Sequence, residues 1–289
     1  MCEESSEMKL IVKKDSELLE YLYENLDMPK KRVKQYLTHG SIYVNNNRVK
    51  QYNYHLVPGM NIMIDTDSKG KKTLPFEILF EDDHIIVVNK PSGLLTIATA
   101  KEKERTLYHI VREYLVSKDK YAKVFIVHRL DKDTSGIVVF AKDEKIKNQL
   151  QENWNEYVVL REYVAVLHGH LKESRGRIVQ KLMETKTNLV YVSRNNEGKE
   201  AITNYKVIKE NKDYTLVSIA IETGRKNQIR VAFQSLKHPI VGDKKYGEKM
   251  DQENRLYLHA NRLKLYYPVL KKEILFETAN PQEFKKIMN

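Results

Sequence analysis

The feature that most constrains the fold is a series of short apolar segments in the second half of the chain, several of which alternate apolar and polar residues. Such alternation is typical of strands that place one face against a core. Helical spacing is rarer, and occurs for example where Leu107, Val111 and Leu115 recur. Many strands with few helices between them predict a mixed, mainly antiparallel α+β domain. The clearest strand segments are REYVAVLHGHL, NLVYVS, AITNYKVI and YTLVSIAIET.

The first 65 residues have a pattern of their own. The segment SELLEYLYENL places its leucines on one helical face, and Pro29 suits the first turn of a second helix, PKKRVKQYL. His39-Gly40 ends that helix, after which SIYVNNNRVK predicts two short strands around an Asn-rich turn and MNIMI a third strand. The polar stretch DTDSKGKKTLP is typical of a linker. We therefore predict a small α/β domain over residues 1–65, a linker over 66–76 and a larger domain over 77–289.

Positive charge is concentrated in one part of this small domain. The chain has a formal net charge of +11, yet residues 1–70 hold ten basic and ten acidic residues. Between Met28 and Lys50 there is no acidic residue. A local excess of this kind favours a polyanionic partner, either nucleic acid or an anionic membrane surface, and general solvation of a charged helix face is the alternative. The basic residues of this stretch are Lys30, Lys31, Arg32, Lys34, Arg48 and Lys50.

Cysteine content and hydropathy bear on the compartment. Cys2 is the single cysteine, so the chain cannot form an internal disulfide, which fits a reducing cytosol. The opening MCEESSEMKL lacks the basic and apolar regions of a signal peptide. No apolar run approaches the roughly 20 residues that span a bilayer. We therefore predict a soluble, cytoplasmic protein without a membrane partner, and take a monomer as the default.

One polar loop is the first candidate for a functional site. HRLDKDTSG, residues 128–136, lies between the apolar runs KVFIV and IVVFAK, which predict two strands. Asp131 emerges where an apolar strand ends, so a partly buried carboxylate there needs a nearby cation. Taken alone, the loop is more simply explained as a turn whose polar groups satisfy their own backbone.

A second cluster, ETGRKNQIR, runs from a predicted strand into a helix. It supplies Arg225 and Arg230, whose planar guanidinium groups suit phosphates or a carboxylate. Taken alone, the segment is more simply explained as a capped helix with solvated arginines. Other site types are excluded by what the sequence lacks: there is no G-x-G-x-x-G, no P-loop and no H-E-x-x-H. His168-x-His170 is the nearest approach to a metal pair, and we predict no metal site.

The order of five segments changes the weight of these clusters. HRLDKDTSG, LREYVAVLHG, TGRKNQIR, HPIVGDKKYG and RLYLHANRL together resemble the RluA-like pseudouridine synthases, a family that modifies ribosomal and transfer RNA. NKPSGLLT resembles the opening of that family's catalytic domain, and the resemblance covers most of residues 77–268. The first 65 residues resemble the small RNA-binding fold of ribosomal protein S four.

The resemblance implies roles for individual residues. Asp131 corresponds to the family's essential aspartate, acting as nucleophile or base, and Tyr163 to the tyrosine that stacks on the target base. Arg230 corresponds to an arginine that pairs with Asp131 and keeps it ionised at neutral pH. Arg129 corresponds to a residue that fills the gap left by a flipped nucleotide. The reaction implied needs no cofactor and no metal. Further substrate-binding residues are Leu130, Thr134 and Arg225.

The chain departs from the family at one position, because Asn227 stands where GRxHQ(I/L)R usually has histidine. Asparagine exchanges hydrogen bonds but cannot carry a proton, so substrate detail is affected more than activity. We expect ribosomal RNA of the large subunit as substrate, with transfer RNA or a non-catalytic assembly role as alternatives. A glycosidase would need a second carboxylate, for which Asp133 is the nearby candidate in sequence.

Overall fold

In a computed structural model, the chain divides into two compact units, Met1–Leu74 and Pro75–Asn289. The structure describes residues 7–45, 47–65, 74–99, 102–195, 197–247 and 254–289. Most of the predicted linker, residues 66–73, lies outside the described residues. Each unit has its own hydrophobic core, so the two are described separately.

The first unit is a small antiparallel sheet with two helices. The sheet has the order β1-β6-β3-β4, and β2 pairs with β5 beside it. Leu18, Leu22 and Val33 of the helices and Ile42 and Ile62 of the strands are buried in one core, as the helical spacing of the leucines predicted. Its elements are β1 (Glu7–Ile11), β2 (Ser16–Glu17), α1 (Leu18–Asn25), α2 (Lys30–His39), β3 (Ile42–Val44), β4 (Asn47–Arg48), β5 (His55–Leu56) and β6 (Asn61–Asp65).

The second unit is built on one large sheet, and the predicted mixed, mainly antiparallel α+β class is confirmed. The main path of the sheet runs β13-β12-β14-β15-β11-β16-β10-β8-β7, with β17 beside β16 and β9 beside β10. Its elements are β7 (Glu77–Glu81), β8 (Ile85–Lys90), α3 (Leu107–Lys118), β9 (Phe125–Ile126), β10 (Ser135–Ala141), α4 (Glu144–Glu152), α5 (Trp154–Tyr157), β11 (Val158–His168), β12 (Arg175–Glu184), β13 (Val190–Val192), β14 (Lys199–Glu210), β15 (Tyr214–Ile221), α6 (Gln228–Ser235), β16 (Leu258–Tyr267), β17 (Lys272–Glu277) and α7 (Gln282–Ile287).

A parallel contact in the middle of this sheet fixes the loop that precedes β10. β10 and β16 run parallel, with Gly136 opposite Ala260. Gly136 has φ +117°, and a Cβ there would lie 2.2 Å from the carbonyl oxygen of Ala260. Only glycine permits both this dihedral angle and this approach. The loop that carries Asp131 is therefore held against the centre of the sheet.

The strand boundaries differ from the sequence expectation in two places. The run KVFIV forms only the two-residue strand β9, because it pairs with just the last part of β10. β12 was not predicted, since its apolar residues do not alternate regularly with polar ones: Ile178 and Val179 are adjacent, and so are Leu182 and Met183. No helix in the described residues is both long and apolar enough to span a membrane.

Candidate active site

The two polar clusters of the sequence meet at one cavity in the second unit. Its volume is about 580 Å³, and its wall is formed by the loop before β10, by β11 and by the start of α6. A cavity of this size can hold a nucleotide. The six basic residues predicted to bind RNA lie in the first unit and take no part in this wall. The predicted catalytic and substrate-binding residues all line it, namely Arg129, Leu130, Asp131, Thr134, Tyr163, Arg225 and Arg230.

Asp131 presents a partly buried carboxylate to this cavity. Its side chain is 24% exposed, and its Oδ2 lies 4.0 Å from Nη1 of Arg230. Burial raises the pKa of Asp131 above its ordinary value, while the positive charges of Arg230 and Arg129 oppose that rise. The cations therefore moderate the cost of the buried charge but do not cancel it.

Arg230 is held by a different carboxylate from the one that the sequence suggested. Its Nε donates to Oδ2 of Asp243 at 2.7 Å, and its Nη2 donates to Oδ1 at 2.6 Å. The backbone N–H groups of Lys245 and Tyr246 also donate to Oδ1 of Asp243. The two-point ion pair of Arg230 is thus with Asp243, and its contact with Asp131 is the longer one. The expected contact with Asp131 is present, and Asp243 is a second, closer partner that was not predicted.

Asn227 supports the same arginine from the other side. It begins α6 with φ +53°, a left-handed conformation that asparagine tolerates better than most residues. Its Nδ2 donates to the hydroxyl of Tyr246 at 3.0 Å, and its Oδ1 accepts from Nη1 of Arg230 at 3.3 Å. The asparagine at this position therefore helps to orient the Nη1 group that lies near Asp131.

A buried lysine ties β8 to the loop of Asp131. Lys90 is fully buried, and its Nζ donates to the carbonyl oxygens of Pro91, Leu94 and Lys132 at 2.9, 2.7 and 2.9 Å. Burial lowers the pKa of Lys90 to about 7, whereas the three carbonyl oxygens and the nearby carboxylates favour its charged form. Lys90 was not predicted to be buried, because nothing in the segment NKPSGLLT indicates that its lysine lies inside the protein.

Two hydroxyl groups of the same segment hold the loop on both sides of Asp131. The Oγ of Ser92 donates to the carbonyl oxygen of Asp133 at 2.6 Å. The Oγ1 of Thr96 donates to the carbonyl oxygen of Leu130 at 2.7 Å and accepts from the N–H of Leu130. The backbone that flanks Asp131 is therefore fixed by side chains from NKPSGLLT.

We expect Lys90→Met to destabilise the second unit, because methionine keeps the apolar stem but leaves three carbonyl oxygens without a donor. Each unpaired buried acceptor is costly, so the free energy of unfolding should fall by about 3 kcal/mol. Urea unfolding measures this change. The exposed neighbour provides the control: Lys132→Met should alter stability by less than about 0.5 kcal/mol. Equal losses in both variants would contradict the role of Lys90.

Tyr163 and Thr134 present different groups to the cavity. Tyr163 lies in β11 between β15 and β16, and burial raises its pKa to about 12, so its phenol is neutral at physiological pH. Its ring offers a flat surface for stacking. The Oγ1 of Thr134 is buried and has no hydrogen-bond partner among the described residues. This hydroxyl group at the cavity wall therefore has unused hydrogen-bonding capacity.

His128, left without a role by the sequence analysis, anchors the start of the loop. Its Nε2 accepts from the N–H of Val139 at 3.1 Å, and its ring lies 4.7 Å from that of Trp154. Burial, with the nearby charge of Arg161, lowers the pKa of His128 to about 3. The imidazole is therefore neutral, as this acceptor role requires.

Asp131 differs from the other carboxylates near the cavity. Glu184 also lines the wall but contacts the ammonium group of Lys226. Asp133, the second carboxylate that a glycosidase would need, is not part of the wall. Among the described residues, no three histidine, cysteine or acidic side chains come together as a metal site would require.

Comparison with known proteins agrees with this geometry. A family model for RNA pseudouridylate synthase matches residues 84–235, more than half of the chain. An RNA pseudouridine synthase of Bacillus subtilis, YhcT, is 31% identical over 277 residues, covering 93% of this chain and 91% of the relative. Ribosomal large subunit pseudouridine synthase D of Yersinia pestis is 28% identical over 282 residues, covering 91% and 86%.

Solved structures extend the comparison to the fold. The human RNA pseudouridylate synthase domain containing 4 protein superposes with a TM-score of 0.60 and 24% identity, covering 72% of this chain and 90% of that one. The two proteins therefore share their fold over this part of the chain. Together with the family match and the full-length relatives, this confirms the resemblance found in the sequence. The chain belongs to the RNA pseudouridylate synthase family, whose members isomerise uridine in RNA to pseudouridine.

Proposed function

We propose that this protein converts specific uridines of large-subunit ribosomal RNA into pseudouridine, with Asp131 as the reacting carboxylate. The observation that carries the proposal is the position of Asp131 in the cavity, beside Arg230 but outside the two-point ion pair that Arg230 forms with Asp243. Its oxygens are therefore available to substrate. The similarity to an enzyme named for the large ribosomal subunit supports the choice of RNA.

The chemistry is an isomerisation that needs no net gain or loss of atoms. The bond between N1 of uracil and C1′ of ribose breaks, the base turns within the cavity, and C5 bonds to C1′. A base takes the proton from C5, and N1 takes up a proton from solvent, so the product has the same atoms as the substrate. Asp131, when ionised, supplies an electron pair to C1′ or to the uracil ring, or accepts a proton as a base. Arg230 and Arg129 favour that ionised form.

The target nucleotide must leave the base stack before this carboxylate can reach it. Arg129 is exposed at the cavity, two positions before Asp131, and is suited to fill the vacated space. The neutral ring of Tyr163 is suited to stack on the flipped uracil. Leu130, Thr134 and Arg225 complete the proposed contacts with the nucleotide.

We further propose that the first unit, with bounds near 1–65, is an RNA-binding domain similar to that of ribosomal protein S four. Its predicted basic residues are exposed, and none forms an ion pair with a carboxylate in the described part of the chain. The guanidinium groups of Arg32 and Arg48 lie 5.9 and 5.5 Å from the rings of Tyr36 and Tyr43. Exposed cations without a carboxylate partner suit phosphate contacts. These residues are Lys30, Lys31, Arg32, Lys34, Arg48 and Lys50.

The basic helix α2 gives a prediction for binding. Replacing Lys30, Lys31 and Lys34 by glutamine should weaken RNA binding. It should also make the negative slope of log K against log salt shallower by about 2, because each lost phosphate contact reduces the number of counterions released on binding. Filter binding over a salt series measures both quantities. As control, Lys14→Gln removes a lysine that is already paired with Glu24 at 2.8 Å and should leave the slope unchanged. An unaltered slope in the triple variant would refute a phosphate-binding role.

Pseudouridine mapping in cells that lack the protein tests the substrate. We expect one or more large-subunit ribosomal sites to be lost, restored by the wild type and not by Asp131→Asn. Loss of transfer RNA sites alone would mean that the substrate is transfer RNA and not ribosomal RNA. Loss of no site would favour the assembly role.

Because one chain carries both the cavity and the basic surface, we propose that it acts as a monomer. We also propose that it acts in the cytoplasm with its RNA.

A further inference from the structure

Arg161 is a cation of the cavity wall that takes no part in the proposed reaction. It lies in β11, two positions before Tyr163, and both side chains line the cavity. Its Nη2 donates to the backbone carbonyl oxygen of Glu222 at 2.8 Å. Within the described residues it makes no other hydrogen bond and no ion pair. Nε and Nη1 of Arg161 are therefore free to bind an incoming acceptor.

The charges around Arg161 leave it without a counterion. Five cationic side chains and two carboxylates line the cavity. Lys226 contacts one of these carboxylates, Glu184, and Arg230 lies beside the other, Asp131. Partial burial lowers the pKa of Arg161, and the charge of Arg225 lowers it further, so an anion would be favoured at this position.

The backbone opposite Arg161 is shaped to leave room for its guanidinium group. A Cβ at Gly224 would lie 2.8 Å from Nη1 of Arg161. The carbonyl oxygen of Glu222 accepts from Nη2 and orients that side of the guanidinium group. The absence of a side chain at Gly224 makes room for Nη1. The guanidinium group is thus held in place by one hydrogen bond, and its other N–H groups can donate to a ligand.

We propose that Arg161 binds a backbone phosphate of the RNA strand next to the flipped uridine, and so holds that nucleotide over Asp131. A phosphate offers paired oxygens that match the guanidinium fork, whereas the uracil carbonyl groups are neutral, single acceptors. The inference rests on the proposed function of the cavity. It assigns Arg161 to substrate binding and gives it no part in bond breaking.

Binding measurements with Arg161→Gln test the proposal. They are made in the Asp131→Asn background, so that RNA is bound without being converted. We expect Kd to rise roughly tenfold at low salt, and the slope of log K against log salt to fall by about 0.7. Arg177→Gln is the matched control, because Arg177 contacts the carboxylate of the same Glu222 but lies outside the cavity wall. Its Kd and slope should not change.

RNA oligonucleotides with single methylphosphonate linkages locate the phosphate. In the Arg161-containing protein, removing the charge of one linkage beside the target uridine should weaken binding roughly tenfold, and in Arg161→Gln the same linkage should have little further effect. Gly224→Ala keeps the charge but displaces the guanidinium group, so it should reduce the methylphosphonate effect at that linkage. Thermal unfolding of each variant verifies that it is folded.

Each outcome either supports or overturns the proposal. An unchanged Kd in Arg161→Gln overturns it. A higher Kd with an unchanged salt slope and an unchanged methylphosphonate pattern also overturns it, because this result would indicate that Arg161 contacts a neutral group. Failure of the proposed function is seen separately. If wild-type protein binds the RNA with the expected linkage pattern but forms no pseudouridine, the proposed reaction fails and the phosphate contact stands.

Discussion

Replacing Asp131 by asparagine is expected to abolish pseudouridine formation while leaving the fold intact. Asparagine has the same shape but cannot donate an electron pair as a carboxylate does or accept a proton as a base. Removal of a reacting group typically costs on the order of 10⁴-fold or more in kcat. Single-turnover conversion of an RNA substrate measures the loss. Glu184→Gln is the control, because it alters the other carboxylate of the cavity wall and should retain activity within about tenfold.

The same substitution should raise stability at neutral pH. Burial raises the pKa of Asp131, so between the unfolded and folded pKa values the folded state binds more protons than the unfolded state. Stability contributed by this group is therefore present below its unfolded pKa and is lost as pH rises through the folded one. Asparagine does not ionise and escapes that loss. At pH 7 the unfolding midpoint of Asp131→Asn should be higher than that of the wild type. Below the unfolded pKa of the aspartate the two midpoints should be equal.

Opposite results would be informative. Activity retained by Asp131→Asn would show that another group reacts with the substrate. An advantage for the variant that is equally large at low pH would show that removal of a buried charge does not explain the added stability.

Asp243→Asn has the second large expected effect, this time on stability and activity together. Arg230 and Asp243 are both buried and share two short hydrogen bonds. Removing one charge of a buried pair leaves the other without compensation, so the free energy of unfolding should fall by about 3–5 kcal/mol. Denaturant unfolding measures this. Activity should fall as well, because Arg230, without its two hydrogen bonds to Asp243, leaves the position that it takes relative to Asp131 and the substrate.

A pH profile separates positioning from general instability. In Asp243→Asn, Arg230 is released from its two-point pair and can approach Asp131 more closely, which lowers the pKa of that carboxyl. The acid limb of kcat/KM should therefore move to lower pH. A purely structural role for Asp243 would reduce the amount of folded enzyme without moving this limb.

The chain contains a matched control for burial. Arg177 and Glu222 form the same two-point pair through Nε and Nη2, at 3.2 and 3.0 Å, but on the exposed surface. Glu222→Gln should cost far less stability than Asp243→Asn, because water replaces a surface ion pair at little cost. Similar losses in Glu222→Gln and Asp243→Asn would mean that burial does not set the strength of the Arg230–Asp243 pair.

From the sequence alone we predicted the fold class, the helices of the first unit and several of the residues that line the cavity. These follow from local patterns: apolar spacing sets which face of an element is buried, and ordered segments such as HRLDKDTSG and TGRKNQIR carry reactive side chain types together. The resemblance to pseudouridine synthases rested on those segments, and the relatives confirm it. Such information is present in residues that are close together along the chain.

Which charged side chains meet depends on the tertiary structure. Arg230 was expected to pair with Asp131, yet its short contacts are with Asp243, thirteen positions along the chain, and Lys90 reaches the carbonyl oxygen of Lys132 across 42 positions. Arg161 was passed over because its free donors depend on the backbone at Glu222 and Gly224. An ion pair depends on distance and burial in space, and a sequence lists charges without either quantity. For that reason the sequence predicted several residues of the cavity wall, but not which of its cations have a carboxylate partner.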